Sequence, residues 1–183
     1  VSFEEGSSRI YIQELYTGSR IGLKMEEGIN SSPDWSPNNK YISAVLSKDG
    51  NPDIYMFDFG TNSWEQLTDH FGIDTEPDWS PNGKKIIFTS NRSGSPQIYE
   101  LTVSNRKIRR KTFEGSYNAR ARYTPDGRSI VFVHRREGLF HIATQDLKTG
   151  RIKIFPLALS LSLSFLATVV IASTAASTYS LLT

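Results

Sequence analysis

Pro77-Asp78-Trp79-Ser80-Pro81-Asn82-Gly83-Lys84 decides the fold, because the chain carries it more than once. It stands as Pro33-Asp34-Trp35-Ser36-Pro37-Asn38-Asn39-Lys40, and in worn form as Ala121-Arg122-Tyr123-Thr124-Pro125-Asp126-Gly127-Arg128. The starts at 33, 77 and 121 are 44 residues apart, and the same step links Ile42, Ile86 and Ile130. It also links Gly6, Gly50, Gly94 and Gly138, and Ile10, Ile54, Ile98 and Ile142. No insertion interrupts the register from Val1 to Phe155, so the chain is an internal repeat.

Within a copy, Ser-Pro-Asn-Gly is type I turn chemistry: Ser opens the turn, Pro presets φ and Gly closes it. Asn39 stands for Gly in the first copy and tolerates positive φ. Lys85 to Ser90 follows as a β-branched and aromatic run of strand length, apolar on both faces through Ile86, Ile87 and Phe88. Asn91 to Pro96 reads as a turn. Gln97 to Val103 alternates, with Tyr99, Leu101 and Val103 on one face. Ser104-Asn105-Arg106 turns again, and Lys107 to Thr112 reads as a polar fourth strand whose Lys and Arg protect an open edge. The segment around Trp79 supplies the remaining strand, and no window carries a helical apolar stripe. Four short antiparallel strands in 44 residues make one propeller blade; a sandwich would not keep a fixed interval, and a solenoid repeat is shorter. The fold class is therefore all-β, an incomplete β-propeller of four-stranded antiparallel blades.

Of the 183 residues, 38% are apolar and 22% charged, which supports a sizeable core and excludes wholesale disorder. Lys and Arg number 21 against 19 Asp and Glu, a net charge of +2 that gives no general case for nucleic acid. With no Cys there is no disulfide scaffold, Cys-based zinc site or thiol nucleophile. The chain starts at Val1 in a strand-like stretch, from which any targeting peptide is expected to be absent or already removed.

Catalytic signatures are missing. There is no Gly-x-Ser-x-Gly elbow, phosphate loop, His-Glu-x-x-His or dinucleotide fingerprint. His70, His134 and His141 are scattered and read as structural. Asp49, Asn51 and Asp53 alternate like part of a calcium loop, yet Gly50 sits inside the triplet, so a hairpin turn is preferred. Arg106, Lys107, Arg109, Arg110 and Lys111 fall on the outer strand without interleaved aromatics and read as a solvated edge. Trp35, Trp79 and Tyr123 occupy one repeat position and read as blade-to-blade packing rather than a stacking site. No cofactor and no metal are expected.

Pro77 to Arg92 with Pro96-Gln97-Ile98-Tyr99 resembles the TolB propeller family of the Tol–Pal system, and so does Leu46 to Tyr55. Ile73 to Pro77 and His141 to Leu147 are also similar to it. The resemblance covers about residues 1–155. It implies a six-bladed periplasmic propeller preceded by a small α/β domain. Against that pattern this chain holds the last strands of a partial blade in residues 1–26 and three blades in 27–155 (about 30–69, 74–113 and 118–155). It thus reads as a fragment of about three and a half blades.

Residues 156–183 form an uncharged tail where the repeat stops. The next copy should place its Pro-x-aromatic-Ser-Pro near 165–169, where Phe165-Leu166-Ala167-Thr168-Val169 stands. Three readings compete: a membrane span, a divergent segment and a shifted reading frame. Leu157 to Thr183 is long enough to span, but ten of its 27 residues are Ser or Thr, and Leu159 to Ser164 alternates with strand period. The frame shift is preferred, because shifted codons for Thr168-Val169-Val170 can encode Asn-Gly-Ser near the turn expected at 170–171.

In an up-and-down blade the segment entering the inner strand and the turn between strands two and three share a face, and loops on a rigid scaffold carry function. The resemblance implies that this channel mouth receives the Pal lipoprotein, which carries over onto Asn30, Ser31, Ser32, Asp74, Thr75, Glu76, Asn118, Ala119 and Arg120. It further implies other Tol components and bacteriocins as partners, contact with membranes only through them, and roles in envelope integrity, protein import and division. The expected function is a non-enzymatic binding scaffold. The alternative is the propeller of a prolyl-oligopeptidase-type serine peptidase, which needs a hydrolase domain that this sequence does not contain.

Overall fold

The computed structural model describes residues 1–3, 6–24 and 26–155, and every strand or bridge in it pairs antiparallel. β1 (Tyr11–Gln13) and β2 (Arg20–Gly22) form a two-stranded sheet. Blade 1 is β3 (Asn30–Trp35), β4 (Tyr41–Leu46), β5 (Asp53–Asp58) and β6 (Ser63–Gln66). Blade 2 is β7 (Asp74–Trp79), β8 (Lys85–Ser90), β9 (Gln97–Thr102) and β10 (Lys107–Arg110). Blade 3 is β11 (Tyr117–Tyr123), β12 (Ser129–Arg136), β13 (Leu139–Asp146) and β14 (Ile152–Phe155). Within each sheet, spatial order follows chain order, as hairpin-linked neighbours require. The incomplete propeller expected from the repeat is the fold observed. Expectations for residues 156–183 fall outside the described residues.

The Ser-Pro-Asn-Gly turns close as their chemistry demands. Gly83 N–H donates to the Ser80 carbonyl at 2.8 Å, and Asn39 to Ser36 at 3.0 Å. Gly83 has φ +67° and Asn39 φ +57°, the left-handed conformation that closes the turn. The inner strands tolerate proline because each bulges. The β3–β4 register shifts between Ser31 and Asp34, and β7–β8 between Thr75 and Asp78, so Pro33 and Pro77 fall where the ladder asks for no N–H.

Second strands are apolar on both faces because they serve two seams. Ile86 and Phe88 join Val45, Ile54, Met56, Leu67 and Trp79 between blades 1 and 2. Ile87 points the other way, to Ala121, Tyr123, Ile130 and Phe132 of blade 3. Ile10 and Leu23 cover Ile42, Ala44 and Phe57 on the far side of blade 1. Each Ile, Leu, Val, Met or Phe among them, fully buried, contributes about 1.5–3 kcal/mol. Tyr99 and Leu101 face the first of these seams with Val103 packed against them, as the alternation predicts.

The fourth strand differs from expectation in one respect. It ends at Arg110 rather than Thr112, because the Thr112 hydroxyl leaves the edge to accept the Ile98 N–H at 3.0 Å.

Candidate partner-docking face

Three connections from an outer strand to the next inner strand emerge at the same end of the blades as the β4–β5, β8–β9 and β12–β13 turns. The inner strands that follow begin with residues expected to lie in loops. Asn30 to Trp35, Asp74 to Trp79 and Tyr117 to Tyr123 are strand, because the bulge lets pairing with the second strand resume on both sides. Ser32, Glu76 and Arg120 occupy the bulge with φ of +49°, +57° and +57°.

The nine residues assigned to the mouth divide by burial. Asn30, Asp74, Asn118 and Ala119 are buried, Ser31, Ser32, Thr75 and Glu76 are half-buried, and Arg120 is exposed. The buried ones hold the blades. Asn30 Nδ2 donates to the Glu26 carbonyl at 2.9 Å, and its N–H to Ser8 Oγ at 2.7 Å. Asp74 Oδ2 accepts from Arg92 Nη2 at 2.5 Å, and that guanidinium lies over the Phe88 and Tyr99 rings. Asn118 Nδ2 donates to Gln97 Oε1 and to the Glu114 carbonyl, both at 2.8 Å. Its Oδ1 is therefore the acceptor for His134 Nδ1–H at 2.7 Å. Burial, then the neighbouring His141, lowers the His134 pKa and keeps the ring neutral.

Glu76 is not a free mouth charge. Its Oε2 accepts from Thr89 Oγ1 at 2.9 Å and from the Arg120 backbone N–H at 3.0 Å. Its Oε1 accepts from Arg120 Nε at 2.9 Å. One carboxylate thus ties blade 2 to the bulge of blade 3 and orients an otherwise exposed arginine.

Sequence reasoning missed the apolar side chains on this face. Ile29, Phe71, Ile73, Phe113, Leu139 and Phe140 all stand exposed on it, with Phe71 88% and Phe113 72% accessible. Their backbone is pinned. Asn51 Nδ2 donates to the His70 and Gly72 carbonyls at 2.6 and 2.8 Å, and Ile73 N–H donates to Asn91 Oδ1 at 2.8 Å. Beside Phe113, a Cβ on Gly115 would meet His134 Cε1 at 2.5 Å, so this loop requires glycine. The available signal was an aromatic in a turn-rich stretch, Asp69-His70-Phe71-Gly72 and Thr112-Phe113-Glu114-Gly115, off any strand alternation.

Other singled-out groups are engaged locally. Asp49 Oδ2 accepts the Tyr55 hydroxyl at 2.5 Å and Asp53 Oδ1 the Thr68 hydroxyl at 3.1 Å, so the triplet turns its side chains to separate partners. Burial chiefly raises the Asp53 pKa. The histidines are less scattered than their spacing suggests, since His134 and His141 are cross-strand partners. Of the basic run, Arg106 pairs with Glu65 of blade 1 and Lys111 turns into a blade seam. Trp79 packs against Tyr41 across the seam, ring centroids 6.3 Å apart, whereas Trp35 is exposed and stacks on Phe59 of its own blade.

At the inner edge, Asp34 Oδ2 accepts the Trp79 backbone N–H and Asp78 Oδ2 the Tyr123 N–H, both at 2.8 Å. The Asp of each copy thus latches the aromatic of the next.

Known proteins agree with this architecture. The TolB beta propeller domain family matches residues 1–162. TolB from Acinetobacter baumannii superposes with a TM-score of 0.80 at 43% identity, over 84% of this chain and 39% of that one. A TolB candidate from Agrobacterium tumefaciens gives 0.75 at 25% identity, over 82% and 57%. The Tol-Pal system protein TolB of Alcanivorax borkumensis is 48% identical over 51 residues, 27% of this chain and 12% of its own length. The chain thus spans less than two thirds of each of these relatives.

Proposed function

This chain belongs to the TolB beta propeller domain family, and from that premise we propose that its mouth face docks a protein partner, the Pal lipoprotein of the Gram-negative periplasm. The role is non-enzymatic: a rigid scaffold of the cell envelope that presents a surface. The observation that carries the reading is the set of exposed apolar side chains on pinned loops, with Phe71 and Phe113 the most accessible and an exposed Arg120 at the same blade end. Aromatic and arginine side chains are the anchors of protein interfaces, and prepaid loop ordering lowers the cost of association. The Tol-Pal system named for the Alcanivorax relative supports Pal as the partner. Other Tol components and bacteriocins are further partners of the family carried over to this chain, with roles in envelope integrity, protein import and division.

The soluble domain of Pal, titrated onto the immobilised chain, tests this. Phe71→Asp and Phe113→Asp should each weaken binding by about tenfold or more, equivalent to about 1.4 kcal/mol. Arg109→Glu, on the exposed outer strand of blade 2, should leave binding unchanged. A larger loss from Arg109→Glu than from either phenylalanine change places the interface elsewhere.

A further inference from the structure

The two complete seams use the same four positions and fill them with opposite chemistry. Between blades 1 and 2 stand Tyr41, Met56, Leu67 and Trp79, an apolar set in which Trp79 stacks on Tyr41. Forty-four residues on, between blades 2 and 3, the same positions are Lys85, Glu100, Lys111 and Tyr123. Three of the four have become charged together, and the fourth, still aromatic, has gained a hydroxyl. Stability does not ask for this, because replacing buried ion pairs with packed hydrophobic side chains is often neutral or favourable.

The polar set borders a cleft of about 240 Å³. Glu100 is buried and both of its oxygens are occupied. Lys85 Nζ donates to Oε1 at 2.9 Å, and the Tyr123 hydroxyl donates to Oε2 at 3.2 Å. Burial, then the Glu100 charge, holds the Tyr123 hydroxyl far above its ordinary pKa, so it remains a donor. Lys111 Nζ lies 3.9 Å from Oε1, beyond hydrogen-bond reach, and is only 20% exposed. Lys111 thus keeps ammonium donors to spare beside a carboxylate whose oxygens are already taken, and with Asp126 the cleft's two ammonium groups face two carboxylates. Asn82 lines the cleft too; its Oδ1 is taken by Ser80 Oγ and the Lys84 N–H, which leaves its amide NH₂ to give. Asp126 at the rim is turned into its own loop, where Oδ1 accepts from Thr124 Oγ1 at 2.6 Å and from the Arg128 N–H.

We propose that this cleft binds a small carboxylate monoanion, anchored by the Lys111 ammonium with Lys85 and Asn82 as further donors. The spare donors of the Lys111 ammonium suit one carboxylate group. The volume is below the usual range of about 300–1,000 Å³ for drug-sized ligands, which suits a short organic acid. The lining turns Ser80–Lys85 and Thr124–Ser129 lie at the blade end opposite the mouth, so this site stands apart from the docking face.

Sodium propionate is titrated into the isotope-labelled chain at constant ionic strength, following the backbone amides of Lys85, Glu100, Lys111 and Tyr123 by NMR. Saturable shifts confined to the cleft are expected, with a dissociation constant of about 1 mM, a weak single-anchor affinity. Lys111→Gln should weaken binding about tenfold, Lys111→Arg should retain it, and Lys107→Gln on the outer strand should not change it. Linear shifts up to roughly 100 mM, where a 1 mM site would be saturated, would overturn the proposal. So would saturation that survives Lys111→Gln in a folded variant, and tighter binding of inorganic phosphate than of propionate.

Discussion

Titrating the latch between blades 2 and 3 should make the protein less stable as pH rises through neutrality. Asp78 Oδ2 accepts the Tyr123 N–H at 2.8 Å, and Oδ1 lies 3.5 Å from Arg122 Nε. Burial pushes its carboxyl from 3.8 up to about 7. The Asp34 charge adds to this, while the Tyr123 N–H and Arg122 pull it back. A folded-state pKa raised above the unfolded value means that the native state binds the extra proton. The associated stability is therefore fully present below 3.8 and is lost as pH climbs through about 7. At about 1.36 kcal/mol per pH unit the whole interval is worth about 4 kcal/mol, and 2–4 kcal/mol is the expected order because Asp34 shares the same field. Urea unfolding, followed by tryptophan fluorescence from about pH 4.5 to 8, reads it directly against Asp78→Asn. Asparagine keeps an acceptor for Tyr123 but cannot titrate. His134, whose lowered pKa acts with the opposite sign, cancels in the difference between the two proteins. Wild type minus variant should fall with rising pH, so that the variant gains on the wild type at pH 8. A difference that stays flat or climbs refutes burial as the dominant influence on Asp78.

Gly83→Val should cost roughly 1 kcal/mol or more by denaturation midpoint. The site has φ +67°, and a Cβ there would meet only Pro37 Cδ at 3.8 Å, so backbone strain and not crowding sets the cost. Asn39→Gly at φ +57° should be neutral or mildly stabilising in the same assay, and equal shifts for both would contradict the left-handed turn. Trp79→Ala should destabilise by about 3–5 kcal/mol, while Trp35→Ala, at the equivalent but exposed position, should cost less than about 1 kcal/mol.

The mouth rewards attention to what a charge already holds. From spacing alone Glu76 looks available to a partner, yet three hydrogen bonds commit it to Thr89 and Arg120. Reversing its charge would loosen a seam before it touched an interface. Phe71 and Phe113 lack that ambiguity, because their side chains reach into solvent from backbone fixed by other residues.

What the sequence by itself determined was the part of the molecule governed by short-range chemistry repeated at one interval. The Ser-Pro-Asn-Gly turns, the doubly apolar Lys85–Ser90 strand and the 44-residue step require a four-stranded blade, since each follows from local φ preferences and alternation. The family resemblance was legible for the same reason, because it rides on those turns and strands. Tertiary structure alone decided which equivalent residues do different work. Trp79 is buried because Tyr41 of the preceding blade covers it, while Trp35 is exposed. Lys111 looks like a solvated edge residue beside Arg109 and Arg110, yet it lies 3.9 Å from Glu100, whose other oxygen accepts the Tyr123 hydroxyl of blade 3. Contacts between side chains of neighbouring blades depend on how one sheet leans on the next, a relation that neither periodicity nor propensity encodes.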